Sequence, residues 1–359
     1  MTKMKILLVA VSLGHFVFTP VPAGEYLVSP PLLKAAGLQL VWQNALAVKK
    51  GEELADLHLV GDRLYAFSSL NYMAGFKKSD GSLIFSRQVA RSGLPIFGLE
   101  LHADRLLSII GNELVELNPD SGTELASMML DFGVGLPAVR NKDYYYIAGT
   151  DRRVHVMRAE DRVKLYDVAA ENDSEVVCVR ADSDSMVLAT RAGNVISVEP
   201  DEPVRQWQFD AGEAVIPPMV KRGGGLYFSS RDTNIYKLDA ETGQLLWKYQ
   251  TDAILRSSCR VTDDVVYQDV YGKGFIAVQA DTGKLLWQIG RNADLLAQSD
   301  HRTYLTDRRG LLIVMDNIGA KKLYEVNFAA VSRYVANTKD QGIYIGDGSG
   351  RIACLQEVE

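Results

Sequence analysis

The chain has 359 residues, 47% hydrophobic and 23% charged, with only three cysteines and a formal net charge of −6. That excludes a disordered chain, a collagen and a disulfide-dense miniprotein, and the acidic balance argues against a general nucleic-acid binder, which needs a basic surface. The length exceeds a typical single core of about 100–200 residues, although large β architectures reach it as one domain.

Lys3 and Lys5 precede an apolar run from Ile6 to Phe18, followed by Thr19-Pro20-Val21-Pro22-Ala23. This order fits a secretory signal peptide over residues 1–23, cut after Ala23 with Val21 at −3. A retained membrane anchor is the alternative, but a bilayer span needs about 20 apolar residues and this run is shorter. No cysteine lies near the cut to carry a lipid anchor. A periplasmic or secreted location is expected. Residues 24–37 form a lead-in, and residues 38–359 carry a repeat.

The repeat is anchored by aromatic or equivalent positions at Trp42, Phe85, Ala126, Tyr166, Trp207, Trp247, Trp287 and Tyr324, spaced 43, 41, 40, 41, 40, 40 and 37 residues apart. An Asp- or Gly-bearing turn precedes most anchors, as in Asp239-Ala-Glu-Thr-Gly243-Gln-Leu-Leu-Trp247 and Gln279-Ala-Asp-Thr-Gly283-Lys-Leu-Leu-Trp287. A second turn signal recurs in phase before strands rich in Tyr and β-branched residues, from Gly61-Asp62 to Asp340. A third precedes an apolar strand, as at Gly193-Asn194-Val195 and Gly350-Arg351-Ile352. Asp, Asn and Gly tolerate the backbone angles of tight hairpins, and the strand residues suit a half-buried pleated surface. Four short strands per period of about 40 residues predict an all-β, eight-bladed β-propeller of four-stranded antiparallel blades. The last repeat lacks a fourth strand, and the strand at Leu38–Leu46 lacks three predecessors. The N-terminal strand is therefore expected to complete the last blade, which removes an open sheet edge.

The motif Ala-x-Asp-x-x-Thr-Gly-x-x-x-Trp, most faithful at Ala277–Trp287 and Lys237–Trp247, resembles the tryptophan-docking repeat of the pyrroloquinoline-quinone-like propellers. The resemblance extends in degraded form over residues 40–356. It implies that Trp42, Phe85, Tyr166, Trp207, Trp247, Trp287 and Tyr324 are structural, each packing between neighbouring blades. One branch of that family comprises dehydrogenases that bind the quinone and calcium. The chain has neither the adjacent cysteine pair that many of those enzymes carry nor a Cys-x-x-Cys-His haem site. The other branch comprises non-catalytic scaffolds, including the eight-bladed propeller lipoprotein of the outer-membrane β-barrel assembly machinery. Length, export signal and blade count resemble that branch, and the missing lipid-anchor cysteine departs from it.

No nucleophile elbow, phosphate loop or zinc motif is present, so no catalytic, cofactor or metal residues are assigned. Cys178, Cys259 and Cys354 read as buried free thiols. The turns between second and third strands carry Arg152, Arg153, Arg191, Arg231, Lys273, Arg308 and Arg309. All such turns share one face of a propeller. The loops leading into each blade reach the same face, adding Arg256, Arg291 and Arg333 around the central opening. Solvated hairpin tips are the bland reading of these bases; the sharper one is a face that meets an acidic partner. The expectation is an exported, monomeric scaffold that binds protein, without cofactor, nucleic acid or membrane span. A quinone-dependent dehydrogenase and a polyanion- or sugar-binding propeller are the alternatives.

Overall fold

A computed structural model describes residues 26–358 except Ile318. The signal-peptide segment lies outside the described residues. The rest forms eight four-stranded antiparallel sheets. Seven are continuous in sequence: blade 1 at residues 54–88, blade 2 at 96–129, blade 3 at 139–168, blade 4 at 176–210, blade 5 at 215–250, blade 6 at 260–289 and blade 7 at 294–327. In each, the first strand is innermost and the fourth outermost.

Blade 8 is built from both ends of the described chain. Three strands, Arg333–Tyr334, Ile343–Gly346 and Arg351–Glu357, are completed by the strand Leu38–Ala45. That strand pairs with Arg351–Glu357 from Leu38↔Glu357 to Ala45↔Arg351. The N-terminal strand thus closes the ring, as the missing fourth strand of the last repeat required.

Every blade shows the same irregularity beside its anchor. The pairing of third and fourth strands slips by one residue just before Trp247, Trp287, Trp207, Tyr166, Ala126, Phe85 and Tyr324, and again at Leu40/Trp42 in blade 8. A bulge of this kind re-aims one side chain out of the strand's alternation. Here it turns the anchor towards the next blade. Trp247 lies against the turn of blade 6, where a Cβ on Gly283 would sit 2.8 Å from the indole. Its Nε1 donates to the Ala280 carbonyl at 2.9 Å. Trp42 similarly donates to the Lys78 carbonyl of blade 1 at 2.9 Å, and Tyr166 to the Pro200 carbonyl of blade 4 at 3.0 Å.

The second strands supply a second layer of adhesion. Tyr65, Tyr146, Tyr227, Tyr267, Tyr304 and Tyr344 are all buried at one repeat level. Tyr65 and Tyr146 reach across to carbonyls of the following blade's turn, Pro119 and Pro200, both at 3.1 Å. The core is consequently a ring of inter-blade clusters rather than one central mass.

Residues 26–37 strap the outside of blades 7 and 8. The short helix Pro30–Ala35 starts with prolines whose fixed φ suits a first turn. Leu27, Val28, Leu33 and Ala36 are buried against Leu312, Val326 and Phe328. The Leu27 amide donates to Gln43 Oε1 at 2.8 Å, and Arg351 donates to the Tyr26 carbonyl at 3.2 Å. No helix among the described residues is long and apolar enough to cross a membrane.

Candidate functional site

The turns between second and third strands and the loops between blades lie together on one face, because a four-stranded meander reverses direction at every turn. The ten candidate bases separate into two groups there. Arg152 pairs with Asp173 at 2.9 Å, Arg191 with Glu175 at 2.7 Å and Lys273 with Asp252 at 3.9 Å. Arg291 lies 3.2 Å from Glu325 and 3.6 Å from the buried Asp307. Arg333, on the innermost strand of blade 8, donates to the Ala55 carbonyl at 2.7 Å and lies 4.0 Å from Glu53. These five are neutralised locally. Exposed pairs of this kind contribute roughly 0–1 kcal/mol each. Arg153, Arg231, Arg256, Arg308 and Arg309 have no carboxylate within 4.0 Å among the described residues. Most of the neutralising acids sit in loops between blades, one hairpin away from their bases, where the repeat frame gives no signal for them.

Four of the five unpaired bases fall in two places, and Arg153 lines neither. Arg231 and Arg256 line a cleft of about 380 Å³ across blades 3 to 5, with Leu136, Val177, Ile216 and Pro217 on its walls. Arg256 also lies over the Tyr271 ring at 3.4 Å. Tyr271 is 47% exposed and Ile254 55% exposed, beside it on the loop from blade 5 to blade 6. A bridge between Leu255 and Val270 fixes that loop to blade 6. An apolar, cationic ledge therefore stands next to an apolar cleft. Arg308 and Arg309 line a second cleft, of about 500 Å³, between blades 6, 7 and 8.

The anchors are placed as follows. Trp42, Trp207, Trp247 and Trp287 are 6–9% exposed. Phe85 packs on Gly122 of blade 2. Tyr324 is 42% exposed, with Arg302 at 6.0 Å above its ring. Blade 2 departs most. Its anchor is Ala126, and the facing turn of blade 3 has Arg162 at φ +61° where blades 1, 2, 5 and 6 carry glycine. The space holds polar groups instead. Glu116 pairs in register with Ala126 and is buried. It accepts from Tyr145 Oη at 2.5 Å, Arg105 at 2.6 Å and Arg140 at 3.0 Å. Burial alone would raise its carboxyl pKa, but those three donors hold it below the ordinary value.

The three cysteines are free and buried. Desolvation pushes the Cys259 thiol up to about 11 and the Cys354 thiol up to about 12, so neither is poised as a nucleophile. Among the described residues no three His, Cys, Asp or Glu side chains gather as a metal site, and the cysteines are far apart in sequence and on different blades.

The fold and docking geometry define the class: a closed eight-bladed β-propeller whose blades adhere through outer-strand aromatics seated on the next blade's turn. The chain is similar to the pyrroloquinoline-quinone-like propellers. A family model described as outer membrane protein assembly factor BamB matches residues 191–332. The crystal structure of BamB from Moraxella catarrhalis superposes with a TM-score of 0.68 at 13% identity, covering 89% of this chain and 97% of that one. The computationally designed Ika8 protein superposes with a TM-score of 0.66 at 15% identity, covering 88% of this chain and 99% of that one. Curated proteins give no match. At these identities the likeness establishes the fold.

Proposed function

We propose that this protein is an exported, non-catalytic scaffold that holds a protein partner on its basic-turn face, in the assembly of the cell envelope or outer membrane. The observation that carries the reading is the ledge of Ile254, Arg256 and Tyr271 beside the Arg231 cleft. It joins exposed apolar surface to two unpaired guanidinium groups on loops held by a rigid ring. Aromatic and Arg side chains of this kind concentrate binding energy at protein interfaces. The matching partner surface is apolar and acidic. The family model's description and the signal-like N-terminus support an envelope setting.

The test is capture from native envelopes with the mature chain as bait. One defined protein should be recovered stoichiometrically. Ile254→Asp with Arg231→Glu should lose it, while Arg152→Glu, at a neutralised position, should keep it. Capture that is indifferent to the ledge variant refutes the site. Failure to capture any partner, together with turnover of a small molecule by the purified chain, refutes the scaffold reading.

A further inference from the structure

The cleft between blades 6, 7 and 8 departs from the repeat in a way that packing does not account for. In each blade one second-strand residue pairs with the first core residue of the third strand. These residues are Phe67, Ile109, Ala148, Ala189, Ser229, Asp269, Thr306 and Gly346, opposite Met73, Leu114, Val154, Val195, Ile235, Phe275, Leu312 and Ile352. Only Asp269 places a charge at this core level. It opens into the 500 Å³ cleft, a volume suited to a small ligand.

Most polar groups of the cleft are already used. Asp294 takes a bidentate pair from Arg260 at 3.0 and 2.9 Å, and Tyr334 Oη at 3.2 Å. Asp307 accepts the amides of Arg309 at 2.8 Å and Leu311 at 3.0 Å. Asp269 keeps capacity to spare. Its Oδ1 accepts from Asn292 at 2.7 Å, and no cation pairs with it among the described residues. Burial raises its pKa, and the Asn292 amide, the Ala293 backbone N–H and the charge of Arg308 offset that only in part. At the rim stand Arg308 and Arg309, both exposed and without an ion-pair partner. A deep acceptor beside an amide thus faces two rim guanidiniums.

We infer that this cleft is a binding site for a hydroxylated anion of the acidic-saccharide class, its hydroxyls on Asp269 and Asn292 and its carboxylate on Arg308 and Arg309. Carboxylate and amide side by side match neighbouring hydroxyls, which both donate and accept. A guanidinium reads a carboxylate through two parallel bonds. An ammonium group fits the deep end less well, since its three donors need three free acceptors and Asp294 and Asp307 are occupied. The site adjoins the docking ledge through Ser257 and Asp269, but its lining side chains differ from those of the ledge and it does not depend on the scaffold reading.

The probes are a galacturonic acid trimer, its neutral galactose counterpart and a Lys-Glu dipeptide, each titrated by calorimetry into the mature chain at low salt. The uronate should bind, at least about tenfold more tightly than the neutral sugar, and weaken with added salt. Asp269→Ala should weaken it about tenfold or more, as loss of a hydrogen bond to a charged group does. Arg308→Glu with Arg309→Glu should abolish it, and Arg152→Glu, on blade 3 and outside the cleft lining, should leave it unchanged. The Arg pair lies on an exposed turn, so that variant tests the site even if Asp269→Ala fails to fold. No uronate binding at millimolar concentration overturns the proposal. So does uronate binding indifferent to the Arg pair, and tighter binding of the dipeptide overturns the saccharide class.

Discussion

The smallest unit that explains this ring is one aromatic and one glycine on different blades. Gly243 has φ +70°, and a Cβ there would meet the Trp207 ring at 2.5 Å. Gly93 has φ +86° with nothing within 4 Å. Both glycines relieve left-handed strain of roughly 1–2 kcal/mol per non-glycine residue, but only Gly243 also makes room for a neighbour. Gly93→Ala should therefore cost about 1–2 kcal/mol and Gly243→Ala about 2–5 kcal/mol, the excess coming from overpacking. Urea denaturation measures both. In a Trp207→Ala background the extra cost of Gly243→Ala should fall back to the strain value, because the clash is gone. An undiminished cost would show that the indole does not need the glycine.

The junction of blades 2 and 3 shows what a blade element does without its aromatic. Ala126 and Arg162 replace the aromatic and the glycine together, and Glu116 with Arg105, Arg140 and Tyr145 occupies the interface. Removing one partner of a buried ion pair costs about 3–5 kcal/mol, so Glu116→Gln should destabilise by that order at pH 7. The pH dependence follows from the depressed folded pKa of Glu116. Its contribution is fully present above the unfolded value of roughly 4.3 and is lost as pH falls through the lower folded value. The stability gap between the native chain and the Gln variant should be flat from pH 7 to about 5 and close in more acid solution. A gap that persists at pH 3 would mean the carboxylate charge is not what holds this junction. None of this cluster was legible beforehand, because Ala126 marked only a weak anchor and Glu116, Arg105 and Tyr145 lie on three different strands. The blade frame was legible for the opposite reason. Each bulge, turn glycine and anchor is local in sequence and recurs every 40 residues or so, so eight noisy copies reinforce one reading. The clefts again were not, since Asp269 and Arg308 belong to separate blades and only the fold brings them together.

For the whole molecule the decisive feature is how the ring shuts. Seven blades join their third and fourth strands through a turn, while in blade 8 those strands belong to opposite ends of the described chain. The gap is small: the Val358 amide donates to the Gly37 carbonyl at 3.0 Å. Closure therefore needs adjacency of these ends and not a free terminus. The exposed Gly223-Gly224 turn of blade 5 offers new ends, since neither glycine has anything within 4 Å of a Cβ. A circular permutant can run from Gly224 to Val358, through a short Gly/Ser linker to Gly37, and on to Gly223. It omits residues 26–36 and converts blade 8 into a blade like the other seven. Such exposed turns tolerate new termini. The permutant should keep the β-sheet circular dichroism and hydrodynamic radius of the native chain. Its Tm should fall, because Leu27, Val28 and Leu33 no longer cover blades 7 and 8. Each buried apolar side chain of that kind contributes about 1.5–3 kcal/mol before the ordering cost of the strap is subtracted, and roughly 2–4 °C accompanies each kcal/mol in a chain of 150–250 residues. A permutant that folds and melts several degrees lower assigns closure to the strand Leu38–Ala45 and added stability to the strap. One that aggregates or loses its sheet signal assigns closure to the strap itself, and the hydrogen-bonded seam between Leu38–Ala45 and Arg351–Glu357 would then not suffice to hold the ring.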